Sequence, residues 1–320
     1  MRAFVSNHIP EDILRPLHDV CEVVISDSRG PVPPGRLAME LSGCQGLLSM
    51  LTDVIDEDLL IASPDLRVIS QMSVGVDNID IAACRRRGIP VGHTPDVLTE
   101  TVADAAFALM GAVMRRIPEG AARVRSGVWG PWNPWDFLGS DLHGSVLGLV
   151  GMGRIGQAIA RRSRGFDMQV RYASPSEKPV ADALRVSLDD LLAESNIVVL
   201  AAPLTDETTG MIGERELALM GPDTFLVNVA RGQLVNTEAL VDALRQGAIA
   251  GAALDVTDPE PLPADHPLLG LRNCLVVPHI GSATVDARRG MARMSVANLV
   301  AGLRGDPMPA QVPGSGSQAD

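Results

Sequence analysis

With 320 residues, 46% of them hydrophobic and 21% charged, the chain has the make-up of a folded globular protein, which excludes wholesale disorder. At roughly 100–200 residues per domain its length predicts two domains, each able to bury a core without disulfide or metal staples. Acidic residues outnumber basic ones by 39 to 27, and the net charge of −12 lacks the footprint of a nucleic-acid binder.

The N-terminus, Met1-Arg-Ala-Phe-Val-Ser-Asn-His, turns polar too soon for a signal peptide. Residues 2–6, 22–25, 46–50, 67–71 and 89–92 then read as short strands with helices between them. Residues 99–116 predict a helix opening at Thr99, with Ala, Leu and Met positions suited to close packing. Its most apolar stretch, 102–114, is too short to span a bilayer and carries Asp104, so no membrane anchor is expected. The segment Gly127-Val-Trp-Gly-Pro-Trp-Asn-Pro-Trp-Asp-Phe follows, and its Pro and Gly argue against regular structure. It holds all three tryptophans, Trp129, Trp132 and Trp135. Two readings stay open: a loop folded onto its own domain, or a projecting arm that packs on a second subunit, because aromatics favour buried interface cores.

Beyond that loop the βα alternation becomes regular, with strands expected at 145–150, 168–173, 196–201, 225–229, 250–255 and 273–277. They are unbroken apolar runs, as expected for parallel strands covered on both faces. Six such strands joined by helices make a doubly wound parallel α/β sheet. A helical pattern runs from Val285 through Val300, and the tail 311–320 is expected to be mobile. Cys21, Cys44, Cys84 and Cys274 have neither C-x-x-C nor zinc-finger spacing. They read as reduced thiols of a cytoplasmic protein, and no metal site is expected.

Gly151-Met-Gly153-Arg-Ile-Gly156 follows the strand at 145–150 and opens a helix at 157–164. In that strand–turn–helix setting G-x-G-x-x-G is a dinucleotide fingerprint. Gly151 permits the tight turn, Gly153 lets the backbone approach the pyrophosphate, and Gly156 lets helix pack on strand. The helix N-terminus adds N–H donors and a positive dipole end. An NAD site usually places an acid about 20 residues on, at the end of the second strand, for the ribose 2′-OH. Here the chain reads Tyr172-Ala-Ser-Pro-Ser-Glu-Lys178, without an acid at the first positions after the strand. Ser174, Ser176, Lys178 and Arg154 are candidate donors to a 2′-phosphate and Glu177 argues against one. The balance favours NADP(H) over NAD(H).

Ligands of open α/β sheets bind beyond the carboxyl ends of the strands. Arg231 follows the strand at 225–229, Glu260 lies past the strand ending at Asp255, and His279 follows the strand at 273–277. Singly, these are a flanking surface charge, a turn residue and a core histidine. Together they bring Arg, Glu and His to one edge beside a nicotinamide. Hydride addition to a ketone or aldehyde leaves charge on oxygen, which a histidine near pH 7 can protonate. A neighbouring carboxylate favours the imidazolium, and an arginine can grip an α-carboxylate and polarise the carbonyl. His8, His18, His93, His143 and His266 lack such a context and read as structural.

These segments resemble a known family. Gly148-Leu-Val-Gly-Met-Gly-Arg-Ile-Gly-Gln-Ala-Ile-Ala, Asn228-Val-Ala-Arg-Gly and Pro278-His-Ile-Gly-Ser are similar to those of the D-isomer-specific 2-hydroxyacid dehydrogenases. Met72-Ser-Val-Gly-Val-Asp, His93-Thr-Pro-Asp-Val-Leu-Thr and Asp255-Val-Thr-Asp-Pro-Glu-Pro-Leu-Pro look like the glyoxylate/hydroxypyruvate reductase branch. The resemblance covers nearly the whole chain. It implies a Rossmann domain at 98–285 inserted in a smaller flavodoxin-like substrate domain, 1–97 plus 286–320. It implies reduction of glyoxylate or hydroxypyruvate to glycolate or D-glycerate. Arg231 would bind substrate, Glu260 would orient and charge His279, and His279 would donate the proton. Val74 and Gly75 would offer N–H groups to the substrate carboxylate, with Ser282 beside the histidine. Asp255 would meet the nicotinamide amide, and Ile155, Pro203, Val229 and Gly281 would also line the cofactor site. The resemblance further implies a cleft that closes by hinge motion, and a homodimer built on the helix at 99–116 and the arm after it.

One departure concerns the cofactor. Members of the branch that use NADPH usually carry Arg just after the second strand, where this chain has Pro175 and Ser176. Two other functions stay open. One is a dinucleotide-sensing binding protein resembling the C-terminal-binding-protein corepressors. The other is a D-2-hydroxyacid dehydrogenase with a bulkier substrate. Phosphoglycerate dehydrogenases often add a C-terminal regulatory domain, which is not expected here, and formate dehydrogenases pair their His with Gln rather than Glu.

Overall fold

A computed structural model describes residues 1–27 and 30–316. The chain divides into two compact units, Met1–Leu98 with the chain from Thr284 onward, and Thr99–Ala283. In chain order the first unit holds β1 (Arg2–Val5), α1 (Glu11–His18), β2 (Glu22–Ile25), α2 (Pro34–Glu40), β3 (Gly46–Ser49), α3 (Glu57–Ala62), β4 (Val68–Gln71), α4 (Ile81–Arg86) and β5 (Val91–Gly92). The second holds α5 (Thr99–Met114), α6 (Ile117–Arg125), β6 (Val146–Val150), α7 (Arg154–Ser163), β7 (Gln169–Ala173), β8 (Ala183–Arg185), α8 (Leu188–Glu194), β9 (Ile197–Leu200), α9 (Glu214–Met220), β10 (Phe225–Asn228), α10 (Thr237–Gln246), β11 (Gly251–Leu254) and β12 (Cys274–Val276). The chain then returns to the first unit as α11 (Val285–Arg304).

The first unit is a five-stranded parallel sheet in the order β2-β1-β3-β4-β5. Successive side chains of a strand point to opposite faces. Ala3 and Val5 therefore join Leu14, Leu17, Val296 and Leu299 of α1 and α11, while Phe4 joins Leu37 and Leu60 of α2 and α3. Both faces are covered, which is why β1 is apolar from Ala3 to Val5. The tail departs from the expectation of mobility. Residues 311–316 pair with the open edge of β5: Val312 N–H donates to Val91 O at 2.7 Å and Gly316 N–H to Ile89 O at 3.1 Å. Backbone groups on an edge strand need partners, and the tail supplies them. Residues 317–320 lie outside the described residues.

The second unit is a seven-stranded parallel sheet in the order β12-β11-β10-β9-β6-β7-β8. The order reverses between β6 and β9, and the crevice there, at the carboxyl ends, is where open α/β sheets bind ligands. The expected six strands are present, and β8 is a seventh. Its three residues, Ala-Leu-Arg, are mostly exposed at the sheet edge, so no apolar run betrayed them. The predicted helix at 99–116 stops at Met114 because Arg116 turns left-handed, with φ 53°. Helix α5 is fastened to α7 by Arg161–Glu100 (2.5 Å), Arg162–Glu100 (2.6 Å) and Arg162–Asp104 (2.7 Å).

Trp129, Trp132 and Trp135 are 78%, 86% and 78% exposed, with Val128 and Leu138 exposed beside them. That overturns the reading in which this loop folds onto its own domain: Pro131 and Pro134 break the backbone, and no core receives the indoles. Among the described residues no helix is long and apolar enough to cross a membrane.

Candidate active site

The fingerprint loop lies at the switch point of the larger sheet. Gly151 has φ 98°, and a Cβ there would sit 2.7 Å from the carbonyl carbon of Ala201, just past β9. Only glycine fits that turn. Gly153 caps α7 with no side chain on the first-turn N–H groups, and a Cβ at Gly153 would meet open space. Room for close backbone approach at a helix N-terminus is what a pyrophosphate requires. Among the other candidate cofactor positions, Arg154 opens α7 with Ile155 next to it, Pro203 O accepts from Thr208 Oγ1 at 2.8 Å, and Val229 is buried past β10.

The segment after β7 folds back on the buried Tyr172. The Tyr172 hydroxyl accepts from Lys178 N–H at 3.0 Å and lies 3.3 Å from Lys178 O. Ser174 Oγ–H donates to Ser176 O at 3.0 Å. Arg185, at the end of β8, reaches the same segment: Nε–H donates to Ser174 O at 3.1 Å and Nη2–H to Pro175 O at 2.9 Å.

Arg231, Glu260 and His279 follow three adjacent strands, β10, β11 and β12. Asn228 shapes the arginine's turn, donating from Nδ2 to Arg231 O (2.7 Å) while Oδ1 accepts from Ala230 N–H (3.0 Å). Arg231 Nη1 donates to Ala230 O at 2.9 Å. Gly232 follows, and a Cβ there would overlap the Thr257 carbonyl, so this turn lies flush against the turn that carries Glu260. Thr257 N–H donates to Glu260 Oε2 at 3.3 Å, and Glu260 Oε1 lies 2.7 Å from His279 Nδ1.

His279 adopts a left-handed φ of 53°, uncommon for a residue with a side chain. Its N–H donates to Asp255 O at 2.8 Å. The buried Asp255 carboxylate accepts the next two N–H groups, Ile280 at 2.6 Å and Gly281 at 2.8 Å, and Ser282 beyond them is buried. The backbone around the imidazole is thereby fixed from below. Burial alone would raise the Glu260 carboxyl. The hydrogen bond and charge of His279, the Thr257 N–H and the charge of Arg231 outweigh it and hold the carboxyl below its usual range. An ionised carboxylate only accepts, so the proton of the pair sits on Nδ1 and leaves Nε2 for chemistry.

The family model for the NAD-binding domain of D-isomer-specific 2-hydroxyacid dehydrogenases matches residues 107–281. The chain belongs to the D-isomer-specific 2-hydroxyacid dehydrogenase family. It is 44% identical over 319 residues to a glyoxylate reductase of Thermococcus gammatolerans, covering 97% of this chain and 95% of that one. A crystal structure of a Thermus thermophilus protein aligns with TM-score 0.93 at 46% identity, covering 98% of this chain and 100% of the other. The NADPH-dependent glyoxylate/hydroxypyruvate reductase of Sinorhizobium meliloti, solved with NADP and malonate, aligns with TM-score 0.88 at 31% identity, covering 98% and 97%.

In this dehydrogenase the first unit carries the loop 73–78 between β4 and α4, with Val74 and Gly75 on it. Ser73 Oγ–H donates to Gly75 O, and His93 Nδ1 lies 3.0 Å from Val74 O. His93, read from the sequence as merely structural, therefore holds the loop on which both residues sit. Gln71 Nε2 donates to Asn78 Oδ1 (2.8 Å), and Asn78 Nδ2 donates to Asp53 O (2.7 Å), which ties the loop's far end to β4 and to the turn after β3. Sequence patterning singled out neither His93 nor Arg185, because what each does is set by a backbone carbonyl that folding brings to it.

Proposed function

We propose that this chain is an NAD(P)H-dependent reductase of small 2-oxo acids of the glyoxylate and hydroxypyruvate class, yielding the 2-hydroxy acids. The observation that carries the reading is the 2.7 Å Glu260–His279 pair following β11 and β12, with Arg231 following the adjacent β10. When bound, the reduced nicotinamide supplies the hydride. Arg231 binds the substrate's carboxylate and polarises its carbonyl through paired N–H groups. As charge develops on the carbonyl oxygen, His279 delivers its Nε2 proton, and Glu260 stabilises the imidazolium that precedes the transfer. Val74 and Gly75 are the substrate-binding positions of the first unit, a role supported by the hydrogen bonds that fix their carbonyls.

The fingerprint unit is the dinucleotide-binding domain, and residues 1–97 with 286–320 form the substrate domain. The strand order 2-1-3-4-5 of the smaller sheet supports a flavodoxin-like fold. Asp255, Gly281 and Ser282 line the reacting end of the site, and Ser174, Ser176 and Lys178 line the adenosine end. NADP(H) is favoured over NAD(H), because no acid stands directly after β7 and the Sinorhizobium relative was solved with NADP. Three exposed indoles on the 127–138 arm support a homodimer formed through that arm.

The test is turnover. Glyoxylate and hydroxypyruvate should each oxidise NADPH, followed at its absorbance, with a higher kcat/KM than NADH. A rate orders of magnitude below that of an ordinary dehydrogenase, with the nucleotide still tightly bound, would instead identify a dinucleotide sensor.

A further inference from the structure

Five arginines of the dinucleotide unit are neutralised by carboxylates. Arg161 and Arg162 pair with Glu100, Arg164 with Asp182 (3.2 Å), Arg171 with Glu194 (2.5 Å) and Arg215 with Asp189 (2.8 Å). Arg185 differs. Among the described residues it pairs with no carboxylate, and its guanidinium rests on two backbone carbonyls, Ser174 O and Pro175 O. Those bonds use Nε and Nη2 and leave both N–H groups of Nη1 without an acceptor among the described residues. A guanidinium holding five donors, with two uncommitted and no counter-charge, is prepared for an anion.

Register sets the position. Arg185 is paired with Tyr172 across β7 and β8, so it stands at the carboxyl edge, level with the end of the strand that follows the fingerprint helix. That strand end is where a dinucleotide's adenosine ribose lies in a fold of this order. The surrounding charge agrees. Residues 174–185 contain Glu177, Lys178, Asp182 and Arg185, and Asp182 is already paired with Arg164. One exposed acid then faces two bases, a local positive excess in a chain of net charge −12.

We infer that Arg185, delivered from the edge strand β8, is the guanidinium that binds the 2′-phosphate of NADP(H) in this enzyme. Resting on the cofactor preference proposed above, it names the group that confers that preference. The cation absent from the positions directly after β7 comes instead from the next strand, and the Ser174 and Pro175 carbonyls hold it in place. Nη1 takes the phosphate, with Lys178 as a second, more flexible charge.

Calorimetric titration with 2′,5′-ADP and with 5′-AMP isolates the extra phosphate from catalysis. The wild type should bind 2′,5′-ADP about tenfold or more tighter than 5′-AMP. Arg185→Ala should lose most of that ratio through weaker 2′,5′-ADP binding, with 5′-AMP affinity unchanged. Arg185→Lys, which keeps the charge without the fork, should keep part of it. If Arg185→Ala keeps the wild-type ratio, the assignment is overturned and the NADP(H) preference stands. If it weakens both ligands equally, Arg185 is only a strap on the loop and the assignment is overturned. A wild type that does not distinguish the two ligands would overturn the cofactor preference and the assignment together.

Discussion

Glu260 Oε1 stands 2.7 Å from His279 Nδ1, and the carboxyl is held below its usual range although burial works against it. The pair thus stays charged on its acid side, where it matters for proton delivery. Glu260→Gln keeps the shape and removes the anion that favours the imidazolium. The alkaline limb of the reduction profile should move to lower pH, costing about tenfold in rate at a fixed alkaline pH for each unit of displacement. Stability carries a second signature. A depressed carboxyl stabilises the fold above its unfolded range and loses that contribution as pH falls through its folded value. Melting curves of wild type and variant should therefore converge as the pH drops below the ordinary carboxylate range. Superimposable rate profiles would remove Glu260 from proton transfer.

His279→Ala removes the donor and leaves the fingerprint loop untouched. We expect kcat to fall roughly 10²–10⁴-fold. The dissociation constant of NADPH should stay within a factor of about two to three, because Gly151 and Gly153 belong to another strand end. Full retention of kcat would place the proton donor elsewhere.

Arg231→Lys tests the planar fork. An ammonium keeps the charge but cannot bind a carboxylate through two parallel N–H groups. A loss of about 10–100-fold in kcat/KM for glyoxylate follows from the usual worth of a charge-assisted hydrogen bond. Wild-type kcat/KM in this variant would refute the two-point contact.

The strands that carry the site were legible because they are buried on both faces and read as apolar runs. Phe225–Asn228 and Gly251–Leu254 are each buried at all four positions. Strand ends then located Arg231, Glu260 and His279 to within a turn. Features made by backbone meeting backbone were not legible. Strand β8 has no apolar run because it lies at an edge, so Arg185 stayed hidden with it. The tail 311–316 looked mobile because Pro, Gly and Ser carry no packing signal, yet its N–H groups close the edge of β5. Residue types alone could not show that Asp255 spends its carboxylate on the two N–H groups after His279.

The contact of Gly232 with Thr257 belongs to that hidden class, and it supplies the sharpest test of how the site is held. Gly232 follows Arg231, and Thr257 donates to the Glu260 carboxylate. A methyl group at Gly232 would overlap the Thr257 carbonyl and stand 2.6 Å from Asp258 N. Backbone cannot rotate aside as a side chain can, so Gly232→Ala must push the arginine's turn away from the glutamate's. Overpacking of this kind costs about 1–3 kcal/mol, which for a unit of this size lowers Tm by about 2–12 °C. A displacement near 1 Å between catalytic groups can cost about 10²-fold in rate. We therefore expect kcat/KM for glyoxylate to fall by about that factor while NADPH binding is kept. Gly165→Ala is the control, since its Cβ would meet open space. It should leave both Tm and kcat/KM unchanged. A Gly232→Ala enzyme of full activity would mean that the spacing of Arg231 and Glu260 does not depend on this backbone contact.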